Sequence, residues 1–374
     1  MWAKNTKDCY FISALSLRQL FSQRRISRRS LCCRWQAALK KSGAALSTAS
    51  PLQKFTIRGQ PVLVKRDDMI LSEAGLNGNK RRKFNCLDSH FMKDIDTVVS
   101  WGGTQSNSMG AIAKVAQHYN VPFVYYTRKA PTWLKKSPTG NYQEAVTRNT
   151  DFRELSNDDY QSLLKDGVCF VADKFGDREG SWIDSRSTLF SRTGRQTLII
   201  PQGGAWPLAE KGVRKLAIEL RDQLAEYVVR GLTPNVVVAS GTGTTALFLA
   251  RHLQDFARVV AIPIVGDASY LLDQMLMLDR KSGDCRVLPD ILRAGPKRIF
   301  GHPHQSLLKV YEELASYGLC VDLVYATAAW EKLWSGIDVG DIECGAECPL
   351  VYYHCGGLKG NASMRKRYER RVNS

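Results

Sequence analysis

Short apolar runs, glycine-rich turns and amphipathic stretches alternate along most of the chain. Residues 97–100 and 121–126 are apolar runs of strand length, separated by a turn and a helical pattern over 108–119. The same order returns later, with predicted strands at 197–200, 235–239 and 258–265 and predicted helices at 208–229 and 246–253. This alternation predicts a doubly wound α/β fold, with open, mostly parallel sheets flanked by helices.

Shorter elements complete this picture. A strand at 62–65 leads into an acidic turn, and a helix is predicted at about 82–92 from Phe84, Leu87 and Phe91 at helical spacing. Later helices are predicted at 306–317 and 327–334, and a closing strand at 350–354.

The length of 374 residues is enough for two domains. We expect a large domain from residues 51–83 and 201–374 and a smaller one from 84–200. Residues 129–192 break the alternation with polar clusters and isolated helical pieces. We interpret them as a segment inserted into the outer part of the smaller domain, together with a long loop.

The first fifty residues differ from the rest in charge. They contain ten Lys or Arg and one acid, Asp8, so they contribute +9 of the net +17 and leave +8 for the other 324 residues. A segment rich in Arg and Ser and poor in acids is typical of an organelle transit peptide, mitochondrial or plastid. The rival interpretation is a basic arm for nucleic acid or an anionic membrane. We favour the transit peptide because no basic-aromatic binding module follows.

The composition also limits the partners and the redox setting. No apolar run approaches the ~18 residues that a membrane helix needs, so we expect no membrane span. We also expect no nucleic acid partner, because only the charge supports one. The ten cysteines are dispersed, which indicates free thiols in a reducing compartment. Cys344, Cys348, His354 and Cys355 could be a zinc set, but they lack the usual two-residue spacing and a second pair. We therefore predict no metal site.

The run 77–83 carries the first candidate chemistry. Four cations, Lys80 to Lys83, follow a turn-prone Asn-Gly-Asn. We expect the turn to present Lys80 among like charges, which disfavour protonation and leave the amine nucleophilic towards carbonyls. The alternative is a solvated basic turn.

A loop at 240–245 carries the second candidate chemistry. A strand ends, two glycines and several hydroxyl residues follow, and a helix begins, which is the arrangement that binds a phosphate. The loop formally matches a dinucleotide fingerprint, but no acid stands at the end of the next strand. A reactive lysine together with a separate phosphate loop indicates one cofactor with both an aldehyde and a phosphate, pyridoxal 5′-phosphate.

Six motifs follow one another along residues 51–374. They are Gly78-Asn79-Lys80-Arg81-Arg82-Lys83, Ser100-x-Gly102-Gly103-x-Gln105-Ser106-Asn107, Pro201-x-Gly203-Gly204, Ser240-Gly241-Thr242-Gly243-Thr244, Val324-Tyr325 and His354-x-Gly356-Gly357. In type and order they resemble the motifs of the D-cysteine desulfhydrase and 1-aminocyclopropane-1-carboxylate (ACC) deaminase family. The resemblance implies the two-domain tryptophan-synthase-β-like fold of pyridoxal phosphate enzymes, and it suggests a homodimer.

The resemblance also implies roles for single residues. Lys80 would bind the cofactor aldehyde covalently and shuttle protons. Asn107 would bond the 3′-oxygen of the ring, Ser106 would hold the substrate carboxylate or act on the substrate, and Tyr325 would face the substrate. The phosphate would be bound by Lys83 and by the loop residues Ser240, Gly241, Thr242, Gly243 and Thr244.

Three departures discriminate within the family. Ala326 stands where ACC deaminases have a glutamate that pairs with the ring nitrogen, and Cys355 stands between the histidine and the two glycines. A thiol bonds that nitrogen only weakly. Phe300 stands where ACC deaminases have an active-site tyrosine. Opening a cyclopropane ring needs a stronger electron sink than expelling a thiolate, so the departures favour D-cysteine as substrate. ACC, another small amino acid, or a pyridoxal phosphate-binding homologue without turnover remain alternatives.

Overall fold

The computed structural model describes residues 49–175, 182–184, 188–191 and 194–372. The predicted transit segment at 1–50 therefore lies almost entirely outside the described residues. Residues 49–364 form one compact unit. No helix within the described ranges is long and apolar enough to cross a membrane.

Twelve strands form in the described residues. They are β1 (Leu52–Ile57), β2 (Gln60–Arg66), β3 (Thr97–Trp101), β4 (Phe123–Arg128), β5 (Asp151–Leu155), β6 (Trp182–Ile183), β7 (Thr188–Phe190), β8 (Gln196–Ile200), β9 (Asn235–Ser240), β10 (Arg258–Pro263), β11 (Asp290–Ile291) and β12 (Leu350–His354).

The helices follow the strands in the expected alternation. They are α1 (Gly78–Lys83), α2 (Ser89–Met92), α3 (Asn107–His118), α4 (Thr132–Lys136), α5 (Gly140–Val146), α6 (Asn157–Lys165), α7 (Gly167–Phe175), α8 (Ala209–Val229), α9 (Thr244–Leu253), α10 (Ala268–Lys281), α11 (Gln305–Ser316), α12 (Ala326–Asp338) and α13 (Gly360–Val372). Short 3₁₀ turns occupy Asp67–Met69 and Gln202–Gly204.

The strands form two six-stranded sheets. The first has the order β1-β2-β12-β9-β10-β11 and is parallel apart from the β1–β2 hairpin. The second has the order β5-β4-β3-β8-β7-β6, with β5, β4, β3 and β8 parallel to one another. The prediction of mostly parallel sheets flanked by helices is confirmed. The first sheet takes its strands from 52–66 and 235–354 and the second from 97–200, while the proposed domain boundaries stay a prediction.

Both faces of the first sheet are buried, which explains the continuous apolar run of β9. Val236 and Val238 face one core with Leu216 of α8, whereas Val237 faces a second core with Trp330 of α12. A parallel strand covered on both faces has no polar side to present, so its sequence does not alternate. This packing fixes the carboxyl end of β9, where the loop at 240–245 begins.

Two regions differ from the sequence-based expectation. The helix predicted at 82–92 is two short helices, because Asp88 caps a new helix by accepting a hydrogen bond from the N–H of Phe91 at 2.9 Å. Helix α1 begins earlier than predicted, at Gly78, so Lys80 lies within a helix and not in a turn. The described part of 129–192 contains helices α4 to α7 and the strands β5, β6 and β7. The polar sequence of the edge strand β5 hid it from an apolar-run criterion.

Candidate functional site

Helix α1 lies directly against the end of β12. The N–H of Asn79 donates to the carbonyl of Cys355 at 3.0 Å. Gly78 has φ +61°, and a Cβ at that position would lie 2.0 Å from the same carbonyl oxygen. A side chain there would clash, so the glycine allows the Lys80 helix to approach the Cys355 strand this closely.

Lys80 is a partly buried residue whose amine has a lowered pKa. Its Nζ donates to Asn79 Oδ1 at 3.3 Å. Burial lowers the pKa of Lys80 to about 8. The expected cause, crowding by like charges, is wrong for this residue, since desolvation is the dominant cause. The charge of Lys80 instead helps desolvation to hold the pKa of Lys83 well below its usual value.

Lys83 points towards the loop at 240–245. Its Nζ donates to the carbonyl of Gly203 at 3.0 Å. A Cβ on Gly203 would lie 3.1 Å from the Thr242 methyl group, so the two segments touch. Lys83 and the loop, far apart in sequence, therefore meet at the Gly203 turn.

The loop itself has the groups that an oxyanion needs. Gly243 has φ +69°, where a Cβ would lie 2.3 Å from Met275 Cγ, and α9 begins at the next residue. The first N–H groups of a helix have no acceptor within it and point at the loop. The Thr242 and Thr244 hydroxyls lie 2.9 Å apart, and the buried Thr245 Oγ1 has no hydrogen-bond partner among the described residues. The Ser240 hydroxyl, in contrast, donates to the Val238 carbonyl at 3.0 Å.

Cys355 lies in the tight segment that follows β12. The N–H of Gly356 donates to His354 Nδ1 at 3.1 Å, and His354 Nε2 accordingly donates to the Cys320 carbonyl at 2.8 Å. Burial raises the pKa of the Cys355 thiol to about 12. Cys355 is therefore a neutral thiol, and His354 fixes the backbone that carries it.

Ser106 and Asn107 open helix α3. Ser106 Oγ caps the helix and accepts from the N–H groups of Ser108 at 3.2 Å and Met109 at 3.4 Å. Asn107 Nδ2 lies 2.9 Å from the position of a Cβ on Gly357. Because a Cβ on the neighbouring Gly356 would lie 3.0 Å from Gly78 Cα, the start of α3 and helix α1 meet at this glycine pair.

Tyr325 lies beside the loop at 240–245. A Cβ on Gly241 would lie 3.3 Å from Tyr325 Cε1. Burial, reinforced by the carboxylate of Asp322, raises the pKa of the Tyr325 phenol, which keeps its proton. The Phe300 ring packs edge-on against Tyr325 with the ring centroids 5.3 Å apart. The buried methyl group of Ala326, one residue on, cannot form an ion pair.

Sequence reasoning missed a cluster of four paired charges beneath α1, Lys65, Asp67, Arg82 and Glu219. Arg82 donates two hydrogen bonds to Asp67 and two to Glu219, all of 2.5–2.9 Å. Lys65 Nζ donates to Glu219 Oε2 at 2.7 Å, and the Tyr353 hydroxyl donates to Asp67 at 2.5 Å. The sequence signals were the acidic turn after the strand at 62–65 and the arginines between the two lysines, without any sign of how these charges pair.

No group of three or more His, Cys, Asp or Glu side chains in the described ranges could hold a metal ion. The residues present do fit pyridoxal phosphate. An amine with a lowered pKa suits the aldehyde. The orphaned Thr245 hydroxyl, the helix N-terminus and the Lys83 ammonium suit the phosphate.

Comparisons with known proteins agree with this class of site. No family model matches the chain. It is 26% identical over 324 residues to the bifunctional D-cysteine desulfhydrase/1-aminocyclopropane-1-carboxylate deaminase, mitochondrial, of Arabidopsis thaliana, covering 83% of this chain and 77% of that protein. It is 28% identical over 330 residues to the 1-aminocyclopropane-1-carboxylate deaminase of Burkholderia vietnamiensis, covering 82% and 90%.

The fold comparison leads to the same class. The solved structure of an ACC deaminase homologue has a TM-score of 0.67 and 22% identity, and the match covers 88% of this chain and 94% of that one. The fold is the tryptophan-synthase-β-like fold of pyridoxal phosphate enzymes. Within that class, the resemblance to the D-cysteine desulfhydrase and ACC deaminase family, inferred from the motifs, is confirmed over about four-fifths of the chain.

Proposed function

We propose that this chain is a pyridoxal phosphate-dependent lyase that acts on D-cysteine. The overall reaction consumes D-cysteine and water and releases pyruvate, ammonia and hydrogen sulfide. The carbon–sulfur bond breaks after loss of the α-proton, and the sulfur leaves with the bonding electron pair.

One observation supports the proposal. Helix α1 carries Lys80, whose pKa is lowered to about 8, and also Lys83, whose Nζ donates to the Gly203 turn that touches the loop at 240–245. An amine that is partly unprotonated near neutral pH can react with an aldehyde. The loop and Lys83 would hold the phosphate at the other end of the cofactor. When bound, pyridoxal phosphate supplies the electron sink for the carbanion, and the protein supplies anchoring, orientation and proton transfer.

The remaining side chains suit proton transfer and substrate orientation. Lys80 would take the α-proton, since its amine is unprotonated for part of the time at neutral pH. Tyr325 would offer a protonated phenol to the substrate, and Asn107 would donate to the 3′-oxygen. Ser106 accepts two backbone hydrogen bonds, and its hydroxyl also lies beside the Tyr125 phenol. That hydroxyl would turn to donate its proton to the substrate carboxylate.

Cys355 and Ala326 support a thiolate leaving group over ring opening. A neutral thiol can bond the ring nitrogen weakly but cannot keep it protonated as a carboxylate would. Phe300 offers Tyr325 a hydrocarbon edge in place of a hydroxyl. ACC deaminase is the second candidate, because the relatives of this chain include proteins of that name.

The absorbance spectrum of the purified protein, taken before and after addition of D-cysteine, tests the proposal. We expect a visible band from lysine-bound cofactor, a change of that band with D-cysteine, and release of sulfide and pyruvate in equal amounts. Parallel incubation with ACC tests the second candidate, whose products would be 2-oxobutanoate and ammonia. A band that no D- or L-amino acid alters would overturn catalysis in favour of a non-catalytic binding homologue.

We also propose a mitochondrial location, with a plastid as the alternative, and a homodimer. The basic, acid-poor residues 1–50 and the mitochondrial relative from Arabidopsis thaliana support the location. A fluorescent fusion of residues 1–50 that stayed in the cytosol would contradict it. Light scattering of the purified protein tests the dimer, and a monomer mass at micromolar concentration would exclude it.

A further inference from the structure

Asn141 lies at the start of helix α5, and a carbonyl group that can only accept hydrogen bonds sets the orientation of its side-chain amide. Asn141 is 5% exposed, and its Nδ2 donates to the Gln105 carbonyl at 3.1 Å. A carbonyl has no proton to give, so the NH₂ end of the Asn141 amide must face it. The same Nδ2 donates to Asn107 Oδ1 at 2.7 Å.

The surroundings leave Asn141 little freedom to turn. Its backbone N–H donates to Gln105 Oε1 at 3.1 Å, and Gln105 Nε2 donates to the Thr139 carbonyl at 3.0 Å. A Cβ on Gly110 would lie 3.1 Å from Asn141 Oδ1, so the glycine provides the space that this side chain fills. A small polar joint between the start of α3 and the start of α5 thus fixes one amide orientation.

The orientation of Asn107 follows from that of Asn141. Because Asn107 Oδ1 is the end that accepts from Asn141, Nδ2 is the end that faces the Gly356–Gly357 segment. That segment also touches helix α1, which carries Lys80. Asn107 therefore presents a donor, and not an acceptor, to the site.

We propose that Asn141 is a positioning residue that holds Asn107 with its NH₂ group towards the cofactor, where it donates to the anionic 3′-oxygen. The inference rests on the proposed function, since it concerns the same cofactor. A reversed Asn107 amide would oppose an oxygen to an oxygen, which replaces a charge-assisted hydrogen bond by repulsion.

Two substitutions separate positioning from packing. Asn141→Asp keeps the shape but removes both donors, so the Asn107 amide is expected to turn its NH₂ group towards the new carboxylate. Asn141→Ala removes the donors without attracting the NH₂ group. Positioning predicts that the dissociation constant of pyridoxal phosphate rises by about tenfold to hundredfold in Asn141→Asp and by less than about tenfold in Asn141→Ala. A packing role predicts the opposite order.

The pH dependence gives a second signature. A protonated carboxyl group at position 141 regains one donor, and burial favours that form. The ratio of the Asn141→Asp dissociation constant to the wild-type one is therefore expected to fall between pH 8.5 and pH 6. Asn235→Asp is the matched control, since Asn235 is a buried asparagine whose Nδ2 donates to the Glu343 carbonyl at 2.9 Å. It lies at the end of β9 remote from Ser240 and is expected to leave the ratio at one.

The outcomes separate this inference from the function it rests on. A wild-type protein that binds no pyridoxal phosphate overturns both. Wild-type binding with Asn141→Asp equal to or tighter than Asn141→Ala at both pH values overturns the inference alone. If Asn141→Asp does not fold, the Asn141→Ala and Asn107→Ala pair decides. Non-additive losses in the double variant support positioning, and additive losses overturn it.

Discussion

Two sets of cations in and around helix α1 show how the same residue type serves structure or chemistry. Below the helix, Arg82 forms four hydrogen bonds to two carboxylates, and the charges of Lys65, Asp67, Arg82 and Glu219 cancel. On the other side, Lys80 and Lys83 donate to neutral oxygens of Asn79 and Gly203. We call these the paired cluster and the open lysines.

The two sets differ in their partners. Two paired carboxylates raise the pKa of Arg82, whereas desolvation lowers the pKa of both open lysines. Desolvation also lowers the pKa of Lys65, although Glu219 partly offsets it. A buried cation without an anion is costly unless it loses its proton or receives a charged ligand. On the proposed function, the open lysines would bind the aldehyde and the phosphate, and the paired cluster would support the helix that carries them.

Removing the amine of Lys80 is expected to have the largest effect. Lys80→Ala should abolish the visible band of the bound cofactor and lower kcat by about 10⁴-fold, because the nucleophile and proton carrier is lost. Spectra and pyruvate release measure both. Lys114→Ala is the control, since burial also lowers the pKa of Lys114 to about 8 and its Nζ donates to a backbone carbonyl. A normal spectrum in Lys80→Ala would contradict the site assignment.

Breaking the paired cluster is expected to cost stability before chemistry. Arg82→Met leaves the carboxylates of Asp67 and Glu219 buried without their main partner, which should lower the free energy of unfolding by about 3–5 kcal/mol. Urea unfolding of the apoprotein measures it. Cofactor affinity in the folded fraction should also fall, since α1 loses its anchor. An unchanged midpoint would mean that the cluster does not support the helix.

Removing Lys83 separates its effect on phosphate binding from its effect on the pKa of Lys80. Lys83→Met should weaken pyridoxal phosphate binding by about tenfold to hundredfold, because a charge-assisted bond to the phosphate is lost. The rate of cofactor capture by the apoprotein should rise with pH through a midpoint of about 8 in both proteins, since burial sets the pKa of Lys80. A midpoint that moved upwards by a full unit in Lys83→Met would restore like-charge crowding as the cause.

The sequence singled out Lys80 and Lys83 as candidates but did not reveal the partners of Arg82, and the reason is physical. A glycine-rich loop after an apolar strand, or a lysine beside Asn and Gly, is a local pattern that reports its chemistry directly. Arg82 finds Glu219 across 137 positions of the chain, and Asn141 finds Asn107 across 34. Such pairs depend on how helices pack on a sheet, which no local pattern records. The same limit hid β5, whose side chains at a sheet edge need not be apolar.

The smallest effect is expected where a cation is paired but exposed. Arg153 donates to Asp151 at 2.7 Å on β5, with side chains 59% and 48% exposed. Solvent screens such a pair, so Arg153→Met should change the free energy of unfolding by less than about 0.5 kcal/mol. Urea unfolding beside Arg82→Met measures the contrast. Equal losses in the two variants would show that removal of any arginine destabilises the protein. A large loss confined to Arg82→Met would show that a carboxylate left without its arginine lowers stability only where the protein buries it away from water.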